Sequence, residues 1–202
     1  MAQSNVAVTA GSGTLLDTWT TSKGGNTVHA GRWVPGEYPD PTYVVLAATI
    51  STATADSHIM QLMAGASNTV RIRRIWVAQT VAATSAGQSS IFCVRLTTAG
   101  TGGTAVTPAQ FDTADAAAGA TGRYLPSSKG TESTALLTGK IGFTNSQPTT
   151  TVNSWEWRQS GNGGPIVIPA GTSNGVALKV TTAIAGASVN IEIEFVETLY
   201  TK

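Results

Sequence analysis

Charged residues are scarce in this chain. Only 11% of its 202 residues are charged, whereas soluble proteins contain about 25%. The net charge is +1 and the lysines and arginines are scattered, so no basic stripe exists that would neutralise the phosphates of a nucleic acid. Disorder is excluded as well, because 41% of the residues are hydrophobic. A surface so poor in charge is expected to be covered partly by other subunits or by hydroxyl and amide groups.

Cysteine and long apolar runs are almost absent too. Cys93 is the single cysteine, which excludes a disulfide within the chain and fits folding in a reducing cytosol. No apolar run approaches the roughly 18 residues that span a bilayer. Residues 1–5 lack the basic and apolar segments of a secretory signal. We therefore expect a protein that is made in the cytoplasm and does not bind a membrane.

Histidine is rare, which limits catalytic and metal chemistry. A Ser-His-Asp or Cys-His site needs a histidine as its base, and only His29 and His58 exist. Each is expected to be a surface residue or a hydrogen-bonded structural residue. Two histidines about thirty residues apart and one cysteine do not have the spacing of a zinc site. Cys93 is expected to pack in a strand as a small hydrophobe.

The carboxylates give no stronger sign of catalysis. Glycosidases need two carboxylates at a set distance in a cleft, and Asp112, Asp115 and Glu156 are the candidates. Glu156 lies between two tryptophans, which strand alternation places in the core while Glu156 faces outward. Glu192 and Glu194 share one strand face, which suits a solvated surface better than a Ca²⁺ site. We therefore predict no enzymatic activity, no cofactor and no metal.

Residues 1–42 differ from the rest of the chain. Glycine and proline recur there, and neither the strand period of 2 nor the helix period of 3.6 persists. Large apolar side chains nevertheless occur, and a solvated linker gains nothing from them. They are Leu15, Leu16, Trp19, Trp33 and Tyr38. We interpret residues 1–42 as an extended arm that docks on its own domain or on a neighbouring subunit.

Residues 43–202 consist of short apolar runs separated by turn residues. This pattern predicts an all-β fold, which we take to be an antiparallel, jelly-roll-like β-sandwich. The predicted strands are Tyr43–Ile50, His58–Met63, Val70–Val77, Ile91–Thr98, Leu136–Phe143, Asn153–Gln159, Ile166–Ile168, Val176–Thr181 and Val189–Glu197. One short helix is predicted from Thr107 to Ala118, because threonine suits the N-cap and Pro108 the first turn. A flexible loop is predicted at Gly100–Thr104, since no phosphate-binding helix follows it.

Several strands indicate which side faces the core. In the last strand Val189, Ile191, Ile193 and Phe195 alternate with polar residues, which predicts an acidic outer face. In the strand before it, Val176, Leu178 and Val180 alternate with Ala177 and Lys179.

The strand Val70–Val77 breaks its own alternation. Its apolar residues are even-numbered before Arg73-Arg74 and odd-numbered after them. Both sets can face the core only if one extra residue is inserted, so we predict a β-bulge at these arginines. One guanidinium group is then aimed away from the ladder. We expect it to be solvated or paired with a carboxylate, and the alternative is a salt bridge across a subunit interface.

Three stretches of the chain carry a resemblance to a known class of proteins. They are Val70-Arg71-Ile72-Arg73-Arg74-Ile75-Trp76-Val77, Gly100-Thr101-Gly102-Gly103-Thr104-Ala105-Val106-Thr107-Pro108, and Pro165-Ile166-Val167-Ile168-Pro169-Ala170-Gly171 with the two strands that follow. Together they resemble small virion structural proteins of tailed bacteriophages, of the head decoration, cement or fibre type. The resemblance covers roughly residues 69–197. It implies a jelly-roll-like sandwich that assembles on a capsid or tail, frequently as a homotrimer, and it transfers no functional residue.

We therefore expect a non-enzymatic virion protein that decorates or cements a phage capsid by binding the particle shell. Its expected partners are itself, as a homotrimer, and the major capsid protein or other virion proteins, with no nucleic acid. The expected subunit or shell contacts are Leu15, Leu16, Trp19, Trp33, Tyr38, Arg73 and Arg74. One alternative is a carbohydrate- or receptor-binding module of a phage fibre, with Trp76, Trp155 or Trp157 as an exposed stacking platform. The other is a tail or minor capsid subunit.

Overall fold

The structure, a computed structural model, describes residues 18–23, 26–31, 41–146, 153–160 and 163–198. The chain divides into two units, Met1–Pro39 and Asp40–Lys202. In the first unit, β1 (Thr18–Lys23) and β2 (Asn26–Gly31) form an antiparallel hairpin. These two strands were not predicted, because their sequences show no apolar alternation. The signal for them is Gly24-Gly25, because Gly-Gly is a favoured two-residue connection in hairpins.

Most of the predicted arm contacts fall outside the description. Trp19 lies in β1, where its backbone pairs with Ala30. The other four, Leu15, Leu16, Trp33 and Tyr38, lie outside the described residues. Their role as docking side chains stays a prediction.

The second unit consists of strands β3 to β14 and, within its described residues, has no helix. The strands are β3 (Thr42–Ser51), β4 (Ser57–Met63), β5 (Thr69–Val81), β6 (Gly87–Leu96), β7 (Thr104–Val106), β8 (Ala109–Gln110), β9 (Thr121–Tyr124), β10 (Glu132–Phe143), β11 (Ser154–Arg158), β12 (Ile166–Ile168), β13 (Gly175–Val180) and β14 (Ser188–Thr198). All nine predicted strands are present. The short strands β7, β8 and β9 were not predicted, because they carry too few apolar residues to show a period.

These strands form two antiparallel sheets, which confirms the all-β sandwich. Sheet I has the order β10-β6-β13-β4-β9-β7, and sheet II has the order β11-β5-β14-β3-β8 with β12 also paired to β5. Successive strands from β3 to β6 alternate between the two sheets. Most of the partners are therefore distant in sequence, as in the pairing of β3 with β14.

The hydrophobic core contains inward side chains from both sheets. The alternation predicted for β14 is confirmed, since Val189, Ile191, Ile193 and Phe195 are all buried. The ring of Phe195 stacks on that of Tyr43, with 5.5 Å between the ring centroids. Burying each such side chain contributes about 2 kcal/mol.

The two sheets approach each other closely where β10 passes β11. A Cβ atom on Gly139 would lie 1.9 Å from Nε1 of Trp155, so this position has room for the indole ring only because it is a glycine. Trp155 and Trp157 pack against the core, as the alternation predicted. Glu156, between them, faces outward.

The helix predicted from Thr107 to Ala118 is wrong. Ala109 and Gln110 form β8 and pair with β3, and the backbone N–H of Phe111 donates to the carbonyl of Thr42 at 3.0 Å. The chain then turns at Asp112, where the N–H of Asp115 donates to the carbonyl of Asp112. Backbone groups that a helix would use locally are engaged instead by the edge of sheet II and by this turn.

The glycine-rich segment at residues 100–104 leads from β6 into β7, and Thr101 forms an isolated β-bridge with Ser128. Its flexibility stays a prediction. Gly102 and Gly103 have φ angles of 69° and 67°, in the left-handed region that favours glycine. A Cβ on Gly103 would lie 2.4 Å from the carbonyl oxygen of Leu125. The segment therefore packs closely against residues 124–128.

The outer face of sheet I is partly apolar. Ala177 was expected on the solvated side of β13, and it is instead fully buried. It belongs to a second apolar cluster with Met63, Val94 and Leu96. Part of this outer face is thus a small core of its own.

Candidate interaction surface

The predicted β-bulge is confirmed at Arg73. On β14, Glu194 pairs with Arg74 while the next residue, Phe195, pairs with Ile72. Arg73 is therefore the extra residue, and the residues on both sides of it, Ile72 and Ile75, are buried in the core. A bulge places two consecutive side chains on the same side of a strand, so Arg73 and Arg74 both face the outer side of sheet II.

Arg74 is the centre of an ion-pair cluster on this outer face. Its Nε donates to Glu156 at 2.6 Å, and its Nη1 donates to Glu194 at 2.8 Å and to Glu192. Arg158 shares Glu156, donating from Nε at 2.8 Å. Hydrogen bonding to Glu156 and Glu194 raises the pKa of Arg74 above its ordinary value. The expectation that one arginine of the pair meets a carboxylate is confirmed, with three carboxylates of its own chain.

The carboxylates of the cluster do not titrate alike. The hydrogen bond from Arg74 lowers the pKa of Glu156. Burial, followed by the neighbouring Glu194, raises the pKa of Glu192. Glu192 and Glu194 therefore do not form the simple solvated face that the sequence predicted; they are bound to one guanidinium group.

A shallow cavity of about 280 Å³ lies beside the bulge. It is lined by Arg73, Arg74, Arg158, Gln159, Ser160 and Glu194. The backbone N–H of Gln159 donates to the carbonyl of Arg73 at 2.8 Å, which fixes the cavity wall to the bulge. The side chain of Arg73 is exposed, and among the described residues its guanidinium group has no hydrogen-bond or ion-pair partner.

The tryptophan platform expected for a glycan-binding module is not formed by Trp155 and Trp157, which pack against the core. Trp76 does lie on the outer face, half-buried, next to the Arg74 cluster. The guanidinium carbon of Arg74 lies 5.9 Å from the centre of its ring, in the range of a cation–π contact. One of the three candidate tryptophans thus remains near the surface.

His58 is buried in a hydrogen-bonded network beneath the glycine-rich segment. Its Nδ1 lies 2.7 Å from Nε2 of Gln61 and its Nε2 lies 3.0 Å from Oε1 of Glu132. The side-chain oxygen of Gln61 accepts from the N–H of Gly100 at 3.0 Å, so its amide nitrogen must donate to His58. His58 is then neutral, with its proton on Nε2. Glu132 also accepts from Lys179 at 2.7 Å.

Burial lowers the pKa of His58 below its ordinary value of 6.5, and the hydrogen bond that its Nε2–H donates to Glu132 only partly opposes this. Asp56, Lys129 and Lys179 complete the charged surroundings of Glu132, with Lys179 lying 3.1 Å from Asp56. Burial disfavours the charged form of Glu132, but the hydrogen bonds from Lys179 and His58 outweigh it and lower its pKa. The network is a structural one, because each of its groups is engaged by another.

This network makes the stability of the protein depend on pH. Because the pKa of His58 is lower in the folded state, the unfolded state binds the proton more tightly, and stability falls as the pH drops below 6.5. We expect a slope in the free energy of unfolding between pH 6.5 and pH 5, with a limit of about 1.4 kcal/mol per pH unit for one proton. Urea unfolding at a series of pH values measures it.

The matched control uses the second histidine of the chain. His58→Gln is expected to flatten the slope between pH 6.5 and pH 5, whereas His29→Gln keeps it. A slope that survives in the His58 variant and disappears in the His29 variant would contradict the assignment.

The other candidate residues also have structural positions. Cys93 is buried in the core, and burial raises the pKa of its thiol to about 12, so the reactive thiolate is disfavoured. Asp112 accepts from the N–H of Ala114 at 2.9 Å in a surface turn. Within the described ranges, no group of three or more His, Cys, Asp or Glu residues is placed to hold a metal ion. No helix in the same ranges is long and apolar enough to cross a membrane.

Glu197 is a buried carboxylate that the sequence analysis did not single out. It accepts hydrogen bonds from Asn68 at 2.7 Å and from the backbone N–H groups of Gly119 at 3.0 Å and Ala120 at 2.7 Å. Only 4% of its surface is exposed. Residues of a strand alternate between its two faces, so Glu197 lies on the inward face of β14 with Phe195, two residues before it. This alternation could have predicted from the sequence that Glu197 is buried.

No family model, no curated protein and no solved structure matches the chain.

Proposed function

We propose that this protein is a non-enzymatic structural protein of a tailed-bacteriophage virion, which decorates or cements the capsid by binding the particle shell. The phage class comes from the resemblance of residues 69–197 to small virion proteins. The binding role is supported by the surface of the β-sandwich. The protein would be made in the bacterial cytoplasm and reside in the virion.

The observation that carries the proposal is the open edge of β3. Only Tyr43 and Val44 pair with β8, so from Val45 to Ser51 no described strand pairs with β3 on that side. Natural edge strands are usually protected by charges or prolines, and Thr42–Ser51 contains neither. A β-bulge also hinders edge pairing, and among the described residues β3 has one such bulge, at Thr49, whose φ is 56°.

Two large apolar side chains are exposed beside this edge. Leu46 of β3 is 55% exposed, and Phe111, directly after β8, is 61% exposed. An uncharged edge with exposed apolar side chains is typical of a surface that another protein covers. The scarcity of charge in the whole chain agrees with such a role.

The order of the strands supports the jelly-roll-like arrangement that we propose. Sheet II contains the four adjacent strands β11-β5-β14-β3, sheet I contains the four adjacent strands β10-β6-β13-β4, and both sets contribute to one core. Successive strands from β3 to β6 cross from one sheet to the other, as in double-sheet jelly rolls, which include viral capsid domains. This order supports the virion role by analogy with those domains.

A test of the proposal begins with particles of the phage that encodes the chain. Mass spectrometry of gradient-purified particles is expected to find the protein in a fixed number of copies. Purified protein is then added to particles that lack it. Wild-type protein should bind to saturation, and Leu46→Lys should bind at least tenfold more weakly, because a charge on an edge strand disfavours pairing.

The control for this experiment is Thr134→Lys, which adds the same charge on the exposed edge strand of sheet I. It should bind like the wild type. Light scattering of the same protein solution is expected to show a homotrimer. Absence of the chain from purified particles, together with failure of the wild type to bind them, would overturn the proposal.

A further inference from the structure

The β-bulge gathers three arginines on one small area. Without the extra residue, Arg73 would point into the core, because neighbouring residues of a strand face opposite sides. With it, Arg73 and Arg74 lie on the same face, and Arg158 of β11 pairs directly with Arg74. The chain has only 12 lysines and arginines in 202 residues, and three of them line one cavity.

Such an arrangement is unfavourable unless something compensates for it. Like charges directly opposite each other on neighbouring strands destabilise a sheet. Arg74 is compensated by Glu156, Glu192 and Glu194. Arg158 has one bond, from its Nε to Glu156, and 64% of its side chain is exposed.

The remaining donors face the cavity. Among the described residues, the guanidinium group of Arg73 and the terminal nitrogens of Arg158 have no acceptor. The polar side chains of Gln159 and Ser160 line the same cavity. Local departures of this kind from the rules of strand pairing are expected at functional sites.

We propose that this cavity binds a carboxylate of a partner protein, with Arg73 and Arg158 donating to it. The two arginines of the bulge then have different roles, since Arg74 stabilises the sheet and Arg73 binds the ligand. Guanidinium groups form bidentate hydrogen bonds with carboxylates and with phosphates. A carboxylate fits better here, because Glu194 lines the cavity and Glu156 lies beside it, so a doubly charged phosphate meets more repulsion.

This inference deepens the proposed function. The carboxylate site is argued from the cavity itself, and only the identity of the partner rests on the proposed function. The ligand would be an Asp or Glu side chain of the particle shell. A salt bridge of this kind across an interface fixes the register of two subunits and steers their encounter.

The site is tested without particles, on the full chain. A short blocked peptide of alternating glutamate and alanine is titrated at constant ionic strength, and NMR follows the Nε–H signals of the arginines. The signals of Arg73 and Arg158 should shift saturably, whereas that of Arg123, which lies in sheet I, should not. Inorganic phosphate should bind at least tenfold more weakly than the peptide.

Two variants at exposed positions separate binding at the site from general charge effects. Arg73→Gln should weaken peptide binding at least tenfold, and Lys140→Gln, which removes the same charge from β10, should leave it unchanged. Tighter binding of phosphate or of an oligonucleotide, equal weakening in both variants, or no saturable shift would overturn the carboxylate site. If the peptide binds but particles do not, the site stands and the proposed virion role fails.

Discussion

Replacing Arg74 with methionine is expected to lower the free energy of unfolding by about 3 kcal/mol at pH 7. Removing one partner of a buried ion pair costs about 3–5 kcal/mol, and the lower end applies because this cluster is only partly buried. The variant leaves Glu156, Glu192 and Glu194 close together without a positive charge between them. Urea unfolding followed by tryptophan fluorescence measures the loss.

The loss should shrink as the pH is lowered from 6 to 3.5. In the variant, repulsion among the three carboxylates raises their pKa in the folded state, so protonation relieves the strain. In the wild type, Arg74 lowers the pKa of Glu156 below its ordinary value of 4.5, so the stabilisation from this carboxylate is lost as the pH falls below 4.5. The two pH profiles therefore converge.

Two further variants test the roles of the neighbouring arginines. Arg74→Lys should recover part of the loss, because it restores the charge but not the several hydrogen bonds of the guanidinium group. Arg73→Met should change stability by less than about 0.5 kcal/mol, because this side chain is exposed. Equal destabilisation by Arg73→Met and Arg74→Met would contradict the division of roles.

Replacing Glu197 with leucine is expected to cost about 3 kcal/mol. The carboxylate is buried and accepts from Asn68, Gly119 and Ala120. Leucine of similar size leaves two backbone N–H groups without an acceptor, and each unsatisfied buried group costs about 1–3 kcal/mol. Hydrogen exchange should accelerate first at the backbone N–H groups of Gly119 and Ala120, since Glu197 holds this end of the loop between β8 and β9.

The control for this prediction is Asp112→Ala in the same loop. Asp112 is exposed and accepts a single backbone hydrogen bond, from Ala114, so the change should cost less than about 1 kcal/mol. Unchanged exchange at Gly119 and Ala120 in the Glu197 variant would show that the loop is held by other contacts, such as the bond from the hydroxyl of Tyr43 to the carbonyl of Ala116.

The sequence by itself determined nine of the strands and most of the faces that they bury. The nine apolar runs became strands, and β14 buries Val189, Ile191, Ile193 and Phe195 as its alternation predicted. The bulge at Arg73 was also predictable, from a change of parity within one strand. These features depend on the period of a single strand, which the local sequence contains.

Only the tertiary structure decided what each polar side chain meets. The alternation of β5 predicted the bulge, but it did not reveal that Arg74 binds three carboxylates while Arg73 remains exposed. The carboxylates, Glu156, Glu192 and Glu194, lie 82 to 120 residues away in the sequence. Nor did the pattern show that His58 is buried under the glycine-rich segment. The helix predicted at Thr107–Ala118 failed for the same reason, since pairing with the edge of β3 outweighed a local capping preference. Hydrophobic periodicity specifies which face of a strand is buried, but the pairing of distant strands selects the charges and backbone groups that come together.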